Sequence, residues 1–385
     1  MKKNGFTVTL LAVVFSACGF VSVAYSHPLI VPDGFQIEAF ASVPNARQMA
    51  LTKSGHIIVG TRRNGVVYGL KKDTQQNTYK RIELLKNRNM PAGVAINKNG
   101  DLYIAATHEI LSIKNIDQAF HKNRFPTISI TDSLPNYDHH GWKHIGFSPD
   151  GKLVIPFGVP CNICLSDNPI IGSLQSFDLT TKTMTPLAIG VRNSVGFDWH
   201  PASKELWFSD NGRDWMGDDE PADEINRVAN IGDHFGFPFI HGKDTWEPDS
   251  SIQSAKPKGL KMMSPSVEIQ AHSAPLGIHF YTGQQFPIRY KHALFVALHG
   301  SWNRSSPVGY KVMAYWFDNE YRLSKQEVLV DGFLIKSGPK TGEKFGRPVD
   351  FLQMPDGSLL ISDDKGGKLW RLSYVGKAEK IKNRP

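Results

Sequence analysis

The amino-acid sequence predicts an all-β chain folded as a six-bladed β-propeller, and three observations carry that expectation. A turn with Gly or a charged residue, a short apolar strand and a small or polar break recur in that order six times. The turns fall at residues 55, 100, 151, 204, 293 and 357, giving intervals of 45, 51, 53, 89 and 64. One four-stranded blade takes about 40–50 residues, and the two longer intervals leave room for inserted loops. Helical periodicity is weak throughout, apart from the N-terminal apolar run and a candidate around Asn115–Lys122.

In chain order, the first expected strand is Phe35–Val43, which would close the ring by pairing with Lys368–Tyr374 and so protect the edge strands. The repeat strands follow in Ser54–Thr61, Asn99–Thr107, Asp150–Gly158, Ser203–Gly212, His292–Gly300 and Asp356–Asp364. Four have a partner just before them, at Gly93–Ile96, Ile145–Phe147, Val195–Trp199 and Val349–Leu352. All are rich in β-branched and aromatic residues and bounded by turn formers, the signature of strands. An open pair of β-sandwich sheets is the competing arrangement.

At 385 residues with 21% charged and 11% aromatic residues, the chain can bury a large core, which excludes a disordered protein. Three cysteines exclude a disulfide scaffold. Lys2 and Lys3, an uncharged apolar run over Phe6–Val23 and the small-x-small Ala24-Tyr-Ser26 read as an export signal over 1–26. The expected mature chain is then one propeller domain, 27–385, in a periplasmic or secreted location. A membrane anchor through the same run, or lipoprotein processing at Cys18, is the alternative. Losing Lys2 and Lys3 takes the net charge from +8 to +6, and no basic stripe interleaves with aromatics, so nucleic acid is not an expected partner. Cys161 and Cys164 lack the following His of a haem-attachment motif and cannot alone make a four-ligand zinc site. A small loop disulfide is the plain reading, with a redox-active dithiol behind it.

Propeller chemistry sits in loops at one mouth of the central channel, next to the repeat strands. Asp138, His139, His140 and His144 precede one blade strand, and a neutral imidazole there would accept a proton near pH 7. Metal ligation or a plain polar loop remain open for this cluster. Asp210, Asp214, Asp218, Asp219, Glu220, Asp223 and Glu224 crowd one loop region, a composition suited to Ca²⁺ but without EF-hand spacing, and equally readable as a solvated acidic loop. Arg192, Arg304 and Arg347 fall at equivalent loop positions on three blades, where they can converge on the axis. A guanidinium fork matches a carboxylate, so convergent arginines beside an acidic loop and a His point to a polyanionic cofactor bound with Ca²⁺.

These residues stand in stretches that resemble the pyrroloquinoline quinone (PQQ)-dependent glucose/sorbosone dehydrogenase family, most closely its sorbosone-dehydrogenase-like branch. The specific matches are His140-Gly-Trp-Lys, Pro160-Cys-Asn-Ile-Cys, Gly190-Val-Arg-Asn-Ser-Val-Gly-Phe-Asp-Trp-His-Pro, Asp210-Asn-Gly-Arg-Asp, His234-Phe-Gly-Phe-Pro, His299-Gly-Ser-Trp-Asn-Arg-Ser and Gly346-Arg-Pro-Val-Asp. The resemblance implies a six-bladed propeller that oxidises a sugar or aldehyde by hydride transfer to Ca²⁺-bound PQQ. It implies His140 as the base and Arg192, Asn193, Asn211 and Arg347 as cofactor contacts, with Asn89 and Arg304 in the two positions that match least well. It also implies the main-chain carbonyls of Gly212 and Arg213 as Ca²⁺ ligands and Glu224 at a structural calcium. His139 departs from the carboxylate common before the base, and the Gly-Ser-Trp-Asn-Arg segment replaces the region of a cofactor lysine. The implied partners are a small sugar or aldehyde and an electron acceptor, a quinone or a cytochrome, with oligomeric state open. A calcium-dependent propeller lactonase and a non-catalytic binding propeller are the alternatives.

Overall fold

The computed structural model describes residues 29–338 and 340–376; the expected export signal, Cys18 and the basic tail after residue 376 lie outside them. Six sheets form the ring, five of them four-stranded and antiparallel; the third blade adds a short fifth strand, Asp233–His234, parallel to Met184–Ile189. Each repeat turn identified above introduces the second strand of its blade: Ile57–Thr61, Leu102–Ala105, Leu153–Phe157, Leu206–Asp210, Leu294–Leu298 and Leu359–Asp363. Every residue in these six strands is buried, so both faces pack against neighbouring blades and the apolar run is continuous rather than alternating.

The ring closes as the sequence implies. Phe35–Ser42 pairs antiparallel with Lys368–Tyr374 as the outermost strand of blade six, from Phe35 opposite Tyr374 to Ser42 opposite Lys368, with a bulge between Ala39 and Ala41. The long 89-residue interval is the route from the third strand of blade four, Asp223–Arg227, to its fourth, Val267–Ile269, by way of a small hairpin, Ile240–His241 with Thr245–Trp246, and a one-turn helix at Ser250–Ser254. The weak helical candidate is a real helix, Ile116–Lys122; the Asn115 side chain accepts from the Gln118 N–H at 3.1 Å and caps it.

The core lies between blades. Trp207, Ile225 and Val267 of blade four pack on Ile278, Phe280, Leu294 and Met313 of blade five, and Trp370 and Phe351 of blade six join Phe295 and Val312. Around the axis the first strands of neighbouring blades approach so closely that side chains are excluded. A Cβ on Gly196 would meet the Leu276 carbonyl at 2.2 Å, and one on Gly277 the Val349 carbonyl at 2.6 Å. Buried polar side chains then join blades in place of ladder bonds. The Gln48 amide oxygen accepts from the Val94 and Ile145 N–H groups at 3.0 and 2.9 Å, and the Asp350 carboxylate from the Met49 N–H at 3.1 Å.

Candidate active site

At one mouth of the channel the starts of the first strands and the ends of the second strands surround a cavity of about 800 Å³. His140, Arg192, Asn193, Asn211, Gly212, Asn89 and Arg347, singled out in the sequence, all line it. Arg213, Glu224 and Arg304 do not belong to its wall. The Arg213 guanidinium pairs with the Glu247 carboxylate. Arg304 donates to the Asp218 carbonyl and, at 2.7 Å, to Asp219, while Ser305 binds the Asp218 carboxylate; these bonds hold the Arg304 guanidinium away from the cavity that Trp302 of the same loop lines.

His140 is buried, with φ 55°, a left-handed conformation. Nδ1 lies 2.8 Å from the Val159 carbonyl, an acceptor, so Nδ1 carries the proton and Nε2 keeps its lone pair for the cavity. Burial first, then Arg192 and His139, hold its pKa well below the ordinary value of 6.5, and the ring is neutral at pH 7. The site's backbone is tight here: a Cβ on Gly158 would meet the His140 Cβ at 2.8 Å and the Asn193 Oδ1 at 3.2 Å.

All five N–H groups of the Arg192 guanidinium are taken by protein acceptors. Nε donates to the Asn162 carbonyl at 2.9 Å, Nη1 to the Asn211 and Gly212 carbonyls at 3.2 and 2.8 Å, and Nη2 to Asn162 Oδ1 and Asp214 Oδ2 at 2.9 and 3.2 Å. Arg192 thus acts on the cavity through its charge and by fixing the 211–214 backbone. Cys161 and Cys164 are joined in a disulfide that closes the loop carrying Asn162.

The acidic stretch divides by depth. Asp210 accepts from the Arg192 and Asn193 N–H groups at 2.8 and 2.6 Å, and Asp223 from Gly212 and Ala274, both at 2.8 Å, so these two are staples of the site's backbone. Glu224 accepts from Gly242 N–H at 2.7 Å and from the Asn226 amide at 2.8 Å. Burial pushes these carboxyls up, to about 6 for Asp210, about 7 for Asp223 and about 8 for Glu224. Asp214 alone of the stretch combines a place in the cavity wall with a salt bridge to Arg192.

Sequence reasoning missed the greater part of the cationic wall. Arg47, Arg62, Arg63 and Arg88 line the cavity beside Arg347. Arg62 lies 4.4 Å over the Trp142 ring, and burial together with Arg47 pulls its pKa down to about 10. Arg47 pairs with Asp364 at 2.9 Å, and the same carboxylate meets His299 Nε2 at 2.9 Å. Three buried donors of wall residues, Arg47 Nη2, Arg88 Nε and Trp142 Nε1, have no acceptor. A cavity ringed by arginines that repel one another, with donors left over, fits a ligand bearing several carboxylates. The available signal was position: Arg47 stands at the start of a first strand, as Arg347 does on blade six, and Arg62 follows the second strand of its blade.

For a cation the wall offers main-chain oxygen at Gly212 and carboxylate at Asp214 and Asp223; among the described residues no group of three or more His, Cys, Asp or Glu is arranged to hold a metal. A Ca²⁺ ion at this mouth would therefore take part of its coordination from a bound ligand.

A family model described as TrAA12-like matches residues 246–375. An uncharacterized protein of Borreliella burgdorferi is 37% identical over 358 residues, covering 90% of this chain and 91% of that protein. A pyrroloquinoline quinone-dependent pyranose dehydrogenase of Coprinopsis cinerea is 27% identical over 182 residues, 37% of this chain and 24% of that enzyme. Among solved structures, the holo PQQ domain of pyranose dehydrogenase from Coprinopsis cinerea superposes with a TM-score of 0.72 at 18% identity, covering 90% of this chain and 97% of that one. The calcium structure of a Trichoderma reesei family AA12 carbohydrate-active enzyme gives 0.74 at 19% identity, over 91% and 98%.

Proposed function

We propose that the chain, similar in fold to the PQQ domain of pyranose dehydrogenase and matching a TrAA12-like family model over residues 246–375, is a soluble PQQ-dependent sugar dehydrogenase that oxidises an aldose or sugar aldehyde with His140 as general base. PQQ bound with Ca²⁺ in the axial cavity would supply the two-electron acceptor, the ion polarising the carbonyl that receives hydride. Arg47, Arg62, Arg63, Arg88 and Arg347 form the cationic wall for its carboxylates, with Asn89, Asn193 and Asn211 beside them. The Gly212 main-chain carbonyl, with Asp214 and Asp223 beside it in the wall, would hold the Ca²⁺ that accompanies the quinone, and Glu224 would belong to a second, structural calcium away from the cavity.

The chain's own contribution to the chemistry begins with the tautomer of His140. Val159 holds the Nδ1 proton, so Nε2 takes the proton of the substrate hydroxyl. Arg192 and burial keep the ring uncharged until that transfer. Trp142 and Leu276 give the cavity its apolar faces. The observation that carries the reading is this neutral, pre-oriented imidazole in a cavity whose arginine donors exceed its acceptors.

Sorbosone-like sugar aldehydes head the substrate class, the acceptor is a quinone or cytochrome, and the location is periplasmic or secreted, on the strength of the N-terminal pattern. Purified metal-free protein given PQQ and Ca²⁺ should develop the absorbance of bound quinone and reduce dye with one or more aldoses or sugar aldehydes. No bound quinone, and no turnover on any of them, would overturn the reading.

A further inference from the structure

We propose that the disulfide-closed loop Cys161–Cys164 is a positioning element of the active site, acting through Asn162; the part of this that concerns quinone binding rests on the function proposed above. Asn162 joins the two halves of the site. Its carbonyl and Oδ1 hold Nε and Nη2 of Arg192, both at 2.9 Å, Oδ1 also accepts from the Asp214 N–H at 2.8 Å, and Nδ2 donates to the Asp214 carbonyl at 2.9 Å. Three of the four main contacts of this one residue are made by its side chain, so backbone alone cannot replace it.

The same segment reaches the base. The Val159 carbonyl, three residues before Asn162, holds Nδ1 of His140, while the Val159 N–H donates to the Arg192 carbonyl at 2.9 Å. Residues 159–162 therefore set the tautomer of His140, the plane of the Arg192 guanidinium and the path of the 212–214 backbone together. The loop belongs to no strand, running from the end of Leu153–Phe157 toward Ser173–Phe177, and Asn162 and both cysteines are only half buried. A short irregular loop with little burial keeps one shape poorly, and a covalent ring of four residues removes the alternatives. The disulfide thus serves the geometry of Asn162 more than the stability of a large, well-packed propeller.

The test uses the full-length protein with Asn162→Ala, Asn162→Asp and the double substitution Cys161→Ser/Cys164→Ser. Two readouts are taken: amide hydrogen exchange at Asp214 without any ligand, and equilibrium titration with PQQ in the presence of Ca²⁺. Losing bonds to a buried charged group predicts that N162A and the double variant each raise exchange at Asp214 and weaken PQQ binding by about ten- to a hundredfold, with nearly unchanged thermal midpoints. N162D, which keeps Oδ1 as acceptor from Arg192 Nη2 and the Asp214 N–H but loses the Nδ2 donor to the Asp214 carbonyl, should recover part of the affinity. N162A placed in the cysteine-free background should add little further, since both changes release the same contacts. Unchanged exchange at Asp214 in N162A and in the double variant overturns the proposal, as does raised exchange with unaltered PQQ affinity, or a loss of thermal midpoint alone. A wild-type protein that binds no PQQ would overturn the functional reading instead, and the exchange data would still decide whether the loop orders Arg192 and Asp214.

Discussion

Asp364→Asn removes one negative charge from the arginine cluster at nearly constant volume. The carboxylate accepts from Arg47 and His299, both at 2.9 Å, and Arg47 is only 2% exposed. Despite burial, His299 and Arg47 hold the Asp364 carboxyl well below its ordinary range, so it is ionised at pH 7. Breaking a buried ion pair costs about 3–5 kcal/mol, and the lower end applies because the amide oxygen still accepts a hydrogen bond. At about 2.1 cal/mol/K per residue over roughly 350 residues, a loss of about 3 kcal/mol lowers the thermal midpoint by about 4 °C. The sign with pH follows from a depressed pKa: the stabilisation is present above the unfolded carboxylate value near 4 and is lost as pH falls through the folded value. Scanning calorimetry of the quinone-free protein should therefore show the gap between wild type and variant at pH 7 and its narrowing below about pH 4. Citrate, a small tricarboxylate, should raise the midpoint of the variant more than that of the wild type, because Arg47 has lost its internal anion. A variant as stable as wild type at pH 7, or one that citrate does not favour, would refute the picture of an uncompensated cationic wall.

Three further perturbations probe the same site. Gly158→Ala inserts a Cβ 2.8 Å from that of His140, so overpacking should cost about 1–3 kcal/mol and displacement of the base should lower kcat by about ten- to a hundredfold, read by steady-state kinetics and melting. The His140 ring, followed by NMR in the ligand-free protein, should titrate below 6.5; a midpoint at or above 6.5 would mean that burial and Arg192 do not control it. Glu224, pushed up to about 8 by burial, favours folding at low pH and loses that contribution as pH rises through 8. Wild type should then lose stability relative to E224Q by up to about 1.4 kcal/mol per pH unit between the unfolded carboxylate value near 4.5 and about 8 in chelator, with the difference levelling off above 8, and Ca²⁺ binding at Glu224 should release a proton measurable in weakly buffered solution.

The propeller was legible because its information is local. Each blade restates a turn, a buried strand and a break close together in the chain, and the closing strand Phe35–Ser42 opens on a clear alternation, with Phe35 and Ile37 buried and Gln36 and Glu38 exposed. His140, Arg192, Asn193, Asn211 and Arg347 were found because they sit in dense polar stretches beside repeat strands. Arg47 and Arg62 were not, because Arg47 stands alone at a strand start and Arg62 with Arg63 reads as a short cluster on a solvated basic surface; they become part of a cationic wall only when blade one closes against blade six. The acidic loop misled in another way. Its carboxylates look alike in sequence, yet Asp210 and Asp223 are buried backbone acceptors while Asp218 and Asp219 bind Arg304 and Ser305 near the surface. Asn162 gave no signal beyond its place between two cysteines, since its importance comes from what Arg192 needs once folded.

The most direct test of the account compares wild type with His140→Gln after both are loaded with PQQ and Ca²⁺ and mixed with an oxidisable aldose in a single turnover. The account predicts that the two proteins bind PQQ with similar affinity and that quinone reduction in the variant slows by about 10²–10⁴-fold. Equal rates in the two proteins, or the absence of PQQ binding to either, would contradict it.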